Sequence, residues 1–218
     1  MKLYKGNSKS NIGQLLIKVE KFRKKCSWNY KYALGKWDFM KEEKTRYEKI
    51  IEFIKASPIK KPKILDLGCG YGALNFYLKE TDYSTITGVD LSSVAISKAK
   101  KQNFINSTFI TADINKFNTN EHYDIVIFNE VLSYLENQEN IISKFVKNTD
   151  TDYLIISLFK NSDTIIEVVP SEYTLLKKVL VKQSNEIFWH IYLYKIKPRV
   201  LSLILFFYAD VTDLALFF

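Results

Sequence analysis

The sequence predicts a mixed α/β fold: a mostly parallel sheet of seven strands, helices on both faces, and an antiparallel pair at the C-terminal end. Three observations carry this reading. Between residues 63 and 159, strand-like runs rich in β-branched residues alternate with helical segments, the pattern of βαβ units in a sheet covered on both sides. From Tyr173 onward the alternation stops, and two strand-like runs adjoin through Ser184–Asn185, a hairpin. The length of 218 residues fits one domain with a small appendage.

The elements follow in order. Residues 9–25 are lysine-rich, with Ile12, Leu15, Leu16, Val19 and Phe22 at helical spacing. The aromatic-crowded stretch "CSWNYKYALGKWDFM" (26–40) breaks that periodicity. A second helix spans 41–57, its stripe running Tyr47, Ile50, Ile51, Ile54, and Pro58 stops it. Strands are predicted at 63–67, 84–90, 107–113, 123–129 and 152–159. Helices are predicted at 73–80, at 92–103 with Ser92 as N-cap, and at roughly 136–148. "YTLLKKVLVKQ" and "NEIFWHIYLYKIK" form the closing hairpin. The chain therefore divides into an N-terminal helical segment (1–57), an α/β core (58–198) and an apolar tail (199–218).

Composition narrows the class. Hydrophobic content of 47% and aromatic content of 15% are ample for a core. Cys26 and Cys69 have no metal-site spacing and make no disulfide framework, so a reduced, cytoplasmic setting is expected. The start "MKLYKGNSKS" lacks an apolar signal region. The net charge of +8 would suit a polyanion. Arginine, the better fork for phosphate and base edges, appears only at Arg23, Arg46 and Arg199, so nucleic acid is not the expected partner. The tail "RVLSLILFFYADVTDLALFF" is interrupted by Asp210 and Asp213 and is too broken to span a bilayer. Docking on the domain, a homodimer contact, or a weak membrane-surface contact are its expected uses.

The chemistry is expected at "KILDLGCGYGAL" (63–74). Gly68, Gly70 and Gly72 stand at alternate positions after an apolar strand and before a helical segment. Such a turn lets a ligand approach the main chain at the carboxyl end of a parallel sheet. The spacing is not the G-x-G-x-x-G of pyrophosphate binders. Asp66, Asp90 and Asp113 close three successive strands. Asp90 can accept hydrogen bonds from both hydroxyls of a ribose, and Asp113 from an exocyclic amine. Acids so gathered suit a cationic or donor-rich ligand and suit a pyrophosphate poorly. Cys69 reads as a packing residue.

"ILDLGCGYGAL", "ITGVDLSSVAISKAK", "FITADINKF" and "YDIVIFNEVLSYLE" resemble, in order and spacing, the motifs of class I S-adenosylmethionine-dependent methyltransferases over about residues 60–160. The resemblance implies a Rossmann-like sheet, a pre-motif helical lid over the cofactor, and S-adenosyl-L-methionine as cofactor. It implies that Asp66, Gly68 and Gly70 line the methionine part, with Asn129 and Glu130 facing the same end. Asp90 would hold the ribose with Leu91 beside the adenine, and Asp113 would meet the adenine amine with Ile114 against its ring.

Methyl transfer from a sulfonium mainly requires that the acceptor be placed on the far side of the methyl. Many relatives carry a histidine in a segment like "EVLEHL"; here "EVLSYL" (130–135) puts Tyr134 at that place. Tyr134 and Glu130 are the residues expected to act near the transfer, while His122 and His190 are not expected to be catalytic. "NEVL" stands where methylases of nucleobase amines carry "NPPY", and no acid cluster suggests a magnesium site. The expected activity is thus metal-independent transfer to oxygen or nitrogen of a small molecule. "GKWDFM...RY" faintly resembles methyltransferases of sugar and surface-polysaccharide pathways, so the acceptor would be a sugar or glycan precursor. Tyr32, Trp37 and Tyr47 would line its pocket. An RNA methyltransferase and a non-catalytic cofactor-binding subunit are the alternatives.

Overall fold

The computed structural model describes residues 8–160 and 166–196. The expected tail, 199–218, lies outside them. Among the described residues no helix is long and apolar enough to cross a membrane.

The strands are β1 (Lys63–Leu67), β2 (Thr85–Asp90), β3 (Ser107–Thr111), β4 (Ile125–Asn129), β5 (Tyr153–Phe159), β6 (Thr174–Lys182) and β7 (Phe188–Lys195). They form one sheet in the order β3-β2-β1-β4-β5-β7-β6. The first five are parallel, and β7 runs antiparallel to both β5 and β6. The order reverses at β1, between β2 and β4. A crevice therefore opens at the carboxyl ends of these strands, where such sheets take ligands.

The helices are α1 (Ser8–Ala33), α2 (Lys44–Ala56), α3 (Ser93–Lys101) and α4 (Gln138–Thr149). The period-two alternation of the strands sorts the core into two layers. Ile64, Ile86, Ile127 and Ile155 pack with Tyr47, Ile50 and Ile54 of α2. Leu65, Leu67, Phe128 and Ile156 pack with Ile142 and Phe145 of α4 on the opposite face. Asp66 and Asn129 alternate onto the α2 face, and so stand at its upper rim.

Three differences from the sequence reading go beyond a shift of two or three residues at an element's end or bear on the site. The first helix continues through the aromatic stretch to Ala33 and ends in a Schellman turn. There Lys36 N–H donates to Lys31 O at 2.9 Å and Gly35 N–H to Tyr32 O at 3.2 Å, with Gly35 at φ +67°. The aromatics that spoil its periodicity are tertiary contacts, because its last turns dock on α3. Second, residues 73–80 are not an α-helix; only a 3₁₀ turn, Leu74–Phe76, forms. An eight-residue helix is marginal alone, and tertiary ties win here: Asn75 donates to Ser107 at 3.0 Å and Tyr77 stacks on Tyr47. Third, β3 stops at Thr111, two residues before Asp113. The Ser92 cap forms as expected, its hydroxyl accepting Ala95 N–H at 3.1 Å.

Candidate active site

The glycine turn folds as its composition requires. Gly68, Gly70 and Gly72 have φ of +83°, +57° and +81°, values that residues with a Cβ rarely adopt. Gly68 N–H donates to Val89 O at 2.8 Å, bending the chain over β2. A Cβ on Gly68 would come within 2.7 Å of Val131 Cβ and 2.9 Å of Asn129 O. At Gly70 the space a Cβ would enter holds the Tyr32 hydroxyl, 2.8 Å away, and Met40 Cε at 3.3 Å. The N-terminal segment thus reaches down onto the turn itself.

Asp66 is fully buried at the tip of β1; Asn129 faces its carboxyl group, but neither oxygen makes a well-formed hydrogen bond. Burial pushes its pKa up to about 7, Asn129 and Arg46 pulling the other way. Asp90, at the end of β2, accepts Gly70 N–H at 3.1 Å and Ser92 N–H at 2.8 Å. Burial lifts its pKa to about 6 against those two bonds. Each oxygen retains a second lone pair for a hydroxyl donor.

Beneath the turn lies a network that the sequence reading missed. Arg46 of α2 is fully buried; its Nη2 and Nε contact Glu43 Oε2 at 2.7 and 2.8 Å, and its Nη1 donates to Asn129 Oδ1 at 2.6 Å. Glu130 Oε1 lies 4.0 Å from Nη1 and accepts from the Ser157 hydroxyl. Glu130 sits at φ +56°, a strained setting for a non-glycine residue. Its pKa is raised by burial, against Arg46 and Ser157. Three carboxyl groups, Glu43, Glu130 and Asp66, thus share the field of a single buried guanidinium. The missed signal was a charge on an apolar stripe: Arg46 precedes Ile50 by four residues, among few arginines.

The lid brings an aromatic cluster to the other side. Trp28 stands 5.5 Å from Trp37 and 5.1 Å, edge-on, from Tyr134; Tyr32 and Trp37 are 6.4 Å apart. Trp28, like Arg46, went unselected from sequence. Asn29 Oδ1 accepts from Ser92 Oγ at 2.8 Å, and Lys98 Nζ donates to Tyr32 O at 2.7 Å, tying α1 to α3. Tyr47 is in the core cluster that also contains Tyr32, stacked on Tyr77 with the Arg46 guanidinium 4.1 Å from its ring centre. Leu91 is half-buried beside Asp90. Asp113 accepts from Asn115 N–H and Nδ2 in its own turn, and Ile114 is buried on the α4 face. Cys69 is buried, its thiol pushed up by burial, with Sγ packed at Gly88. His122 pairs with Asp124 and His190 lies between Phe188 and Tyr192, both away from the turn.

Residues 59–197 match the sequence family described as a methyltransferase domain. The chain belongs to that family. The resemblance to class I S-adenosylmethionine-dependent methyltransferases, read from the motifs, therefore holds, and S-adenosyl-L-methionine is the family's methyl donor. This methyltransferase domain is 28% identical over 127 residues to a malonyl-[acyl-carrier protein] O-methyltransferase of Bacillus cereus, covering 57% of this chain and 47% of that one. The chain spans about half the length of the curated relatives it matches. Two solved structures share the fold. The N-methyltransferase NodS of Bradyrhizobium japonicum, in complex with S-adenosyl-L-homocysteine, is 21% identical with a TM-score of 0.62, over 71% of this chain and 87% of that one. The magnesium protoporphyrin IX methyltransferase of Synechocystis, with bound S-adenosylmethionine, is 17% identical with a TM-score of 0.64, over 81% and 97%.

Proposed function

We propose that this methyltransferase domain transfers the methyl group of S-adenosyl-L-methionine to an oxygen or nitrogen of a small molecule, without a metal ion. The observation that carries the donor site is Asp66: a buried carboxylate whose two oxygens make no well-formed hydrogen bond, beside two glycines with no side chain to obstruct a ligand. An unpaired buried carboxylate is costly, and the ammonium of the donor's methionine end offsets that cost. Arg46, held by Glu43 and Asn129, supplies the positive charge for the carboxylate of the same end. Gly68 and Gly70 let that chain lie on the backbone. Asp90 takes the ribose hydroxyls, with Leu91 beside the adenine and Asp113 and Ile114 at its far edge. When bound, the donor supplies an activated methyl; the protein's part is to orient, to exclude water and to hold the acceptor opposite.

The segment 8–43 acts as the lid, and Tyr32 closes over Gly70. Trp28, Trp37 and Tyr134 form the acceptor wall, where indole faces would stack on a sugar or glycan precursor. Tyr47 supports Arg46 from below. Glu130 and Tyr134 stand where an acceptor proton would leave.

Calorimetry with S-adenosylhomocysteine, followed by transfer of label from S-adenosylmethionine to a small-metabolite extract or to total RNA, tests the reading. Donor heat lost in Asp66→Asn and Asp90→Ala, with label in small molecules, supports it. Label in RNA, or donor heat without transfer, replaces it with the RNA or the non-catalytic alternative.

A further inference from the structure

We infer that the acceptor is an amine, its nitrogen seated against Trp28, Trp37 and Tyr134 with the Glu130 carboxylate beside it. This inference rests on the methyl-transfer reading above. The three rings form a corner: Trp28 and Trp37 are inclined by 32°, and Tyr134 meets Trp28 at 86°. Such faces carry negative potential and favour cations. One cation already uses them, since Lys31 Nζ stands 4.6 Å from the centre of the Trp28 ring. The Trp37 indole N–H is buried without a hydrogen-bond partner, so this wall also has a donor to offer an acceptor's oxygen.

Charge separates the candidate acceptors. Glu130 follows β4 next to the wall, and Asp66 and Asp90 end the neighbouring strands; the cations near them are the buried Arg46, which Glu43 already contacts at 2.7 Å, and Lys31 over the Trp28 ring. A carboxylate or phenolate acceptor would be desolvated among like charges, whereas an ammonium is drawn in. Glu130 and Tyr134 both stand on the short segment that follows β4, and burial and then the Glu130 carboxylate raise the Tyr134 hydroxyl pKa.

The step balances without another reactant. An ammonium acceptor first gives a proton to Glu130 or water. The nitrogen lone pair then forms the N–C bond as the C–S bond breaks, the bonding pair staying on sulfur as a thioether. The positive charge moves to nitrogen, where the aromatic faces hold it. A remaining N–H proton can leave by the same route.

The probes are choline and 3,3-dimethyl-1-butanol, its neutral isostere, titrated into the full chain with S-adenosylhomocysteine while tryptophan emission is followed. Choline should bind about tenfold or more tightly. The preference should fall toward unity in Trp28→Leu and shrink in Glu130→Gln. Equal affinities, or no binding of either, overturn the inference. Calorimetry on the same samples separates the two failures: donor-product heat without a choline preference sinks the amine alone, and absent heat sinks the methyl-transfer reading beneath it.

Discussion

Arg46 Nη1 donates to Asn129 Oδ1 at 2.6 Å, fastening the pre-core helix to the tip of β4 from within the protein. The same guanidinium holds Glu43, so α2, its first turn and the sheet share one buried cation. Breaking one partner of a buried pair leaves the other charge uncompensated, at about 3–5 kcal/mol. Arg46→Leu should lower stability by about that much in urea unfolding and abolish donor heat. Arg46→Lys, which keeps charge but loses the planar fork, should fall between.

Asp66 and Asp90 make donor-free stability depend on pH with an unusual sign. Both folded pKa values, about 7 and about 6, lie above those of an unfolded aspartate. The folded state therefore binds more protons, and the contribution of these groups is fully present below about pH 4. It is lost as pH rises through 6 and 7. The melting temperature of Asp66→Asn should decline less between pH 5 and pH 8 than that of wild type. Donor affinity in wild type should run the other way, rising as Asp66 ionises.

The two glycines of the turn should fail differently when given a methyl group. Gly68→Ala meets the Asn129 carbonyl oxygen at 2.9 Å and Val131 Cβ at 2.7 Å. Backbone there cannot yield, so folding should weaken by several times the ~1 kcal/mol of an unfavourable φ alone. Gly70→Ala meets the far end of Tyr32, which can move. It should fold with a loss of about 1–2 kcal/mol while donor heat falls sharply. Thermal melts and calorimetry on both variants check this contrast.

Asn29 accepts from Ser92 Oγ at 2.8 Å and lies 3.4 Å from Val94 N at the start of α3. Asn29→Ala removes the tie while leaving the core intact. Limited proteolysis within residues 8–43 should quicken several-fold, at a cost of about 1–2 kcal/mol in stability.

The mostly parallel sheet, covered on both faces, was legible because β-branched runs such as "ILDL" and "DIVIFN" alternate with amphipathic stretches. The turn was legible because glycine at φ near +80° has few substitutes. What hid was set by tertiary contact. The aromatics of 26–33 look like a helix break but are docking groups on a continuing helix. "ALNFYLKE" looks helical, yet Phe76 and Tyr77 are drawn to Phe104 and Tyr47. Arg46 and Trp28 acquire their settings only when α1 and α2 close on the sheet, so neither announced itself. The early end of β3 was also hidden, since "STFITAD" reads as strand to Asp113 while the ladder stops at Thr111.

Helix α1 runs 26 residues, about 39 Å, and its last turns grip the domain. Leu15, Leu16, Val19 and Phe22 along its other half are exposed. Such a rod is a lever: a tilt of ten degrees about Asn29 would carry Leu15 through about 4 Å. A spectroscopic label near that position would therefore report, amplified, any small shift of the helix end that carries Tyr32 against Gly70.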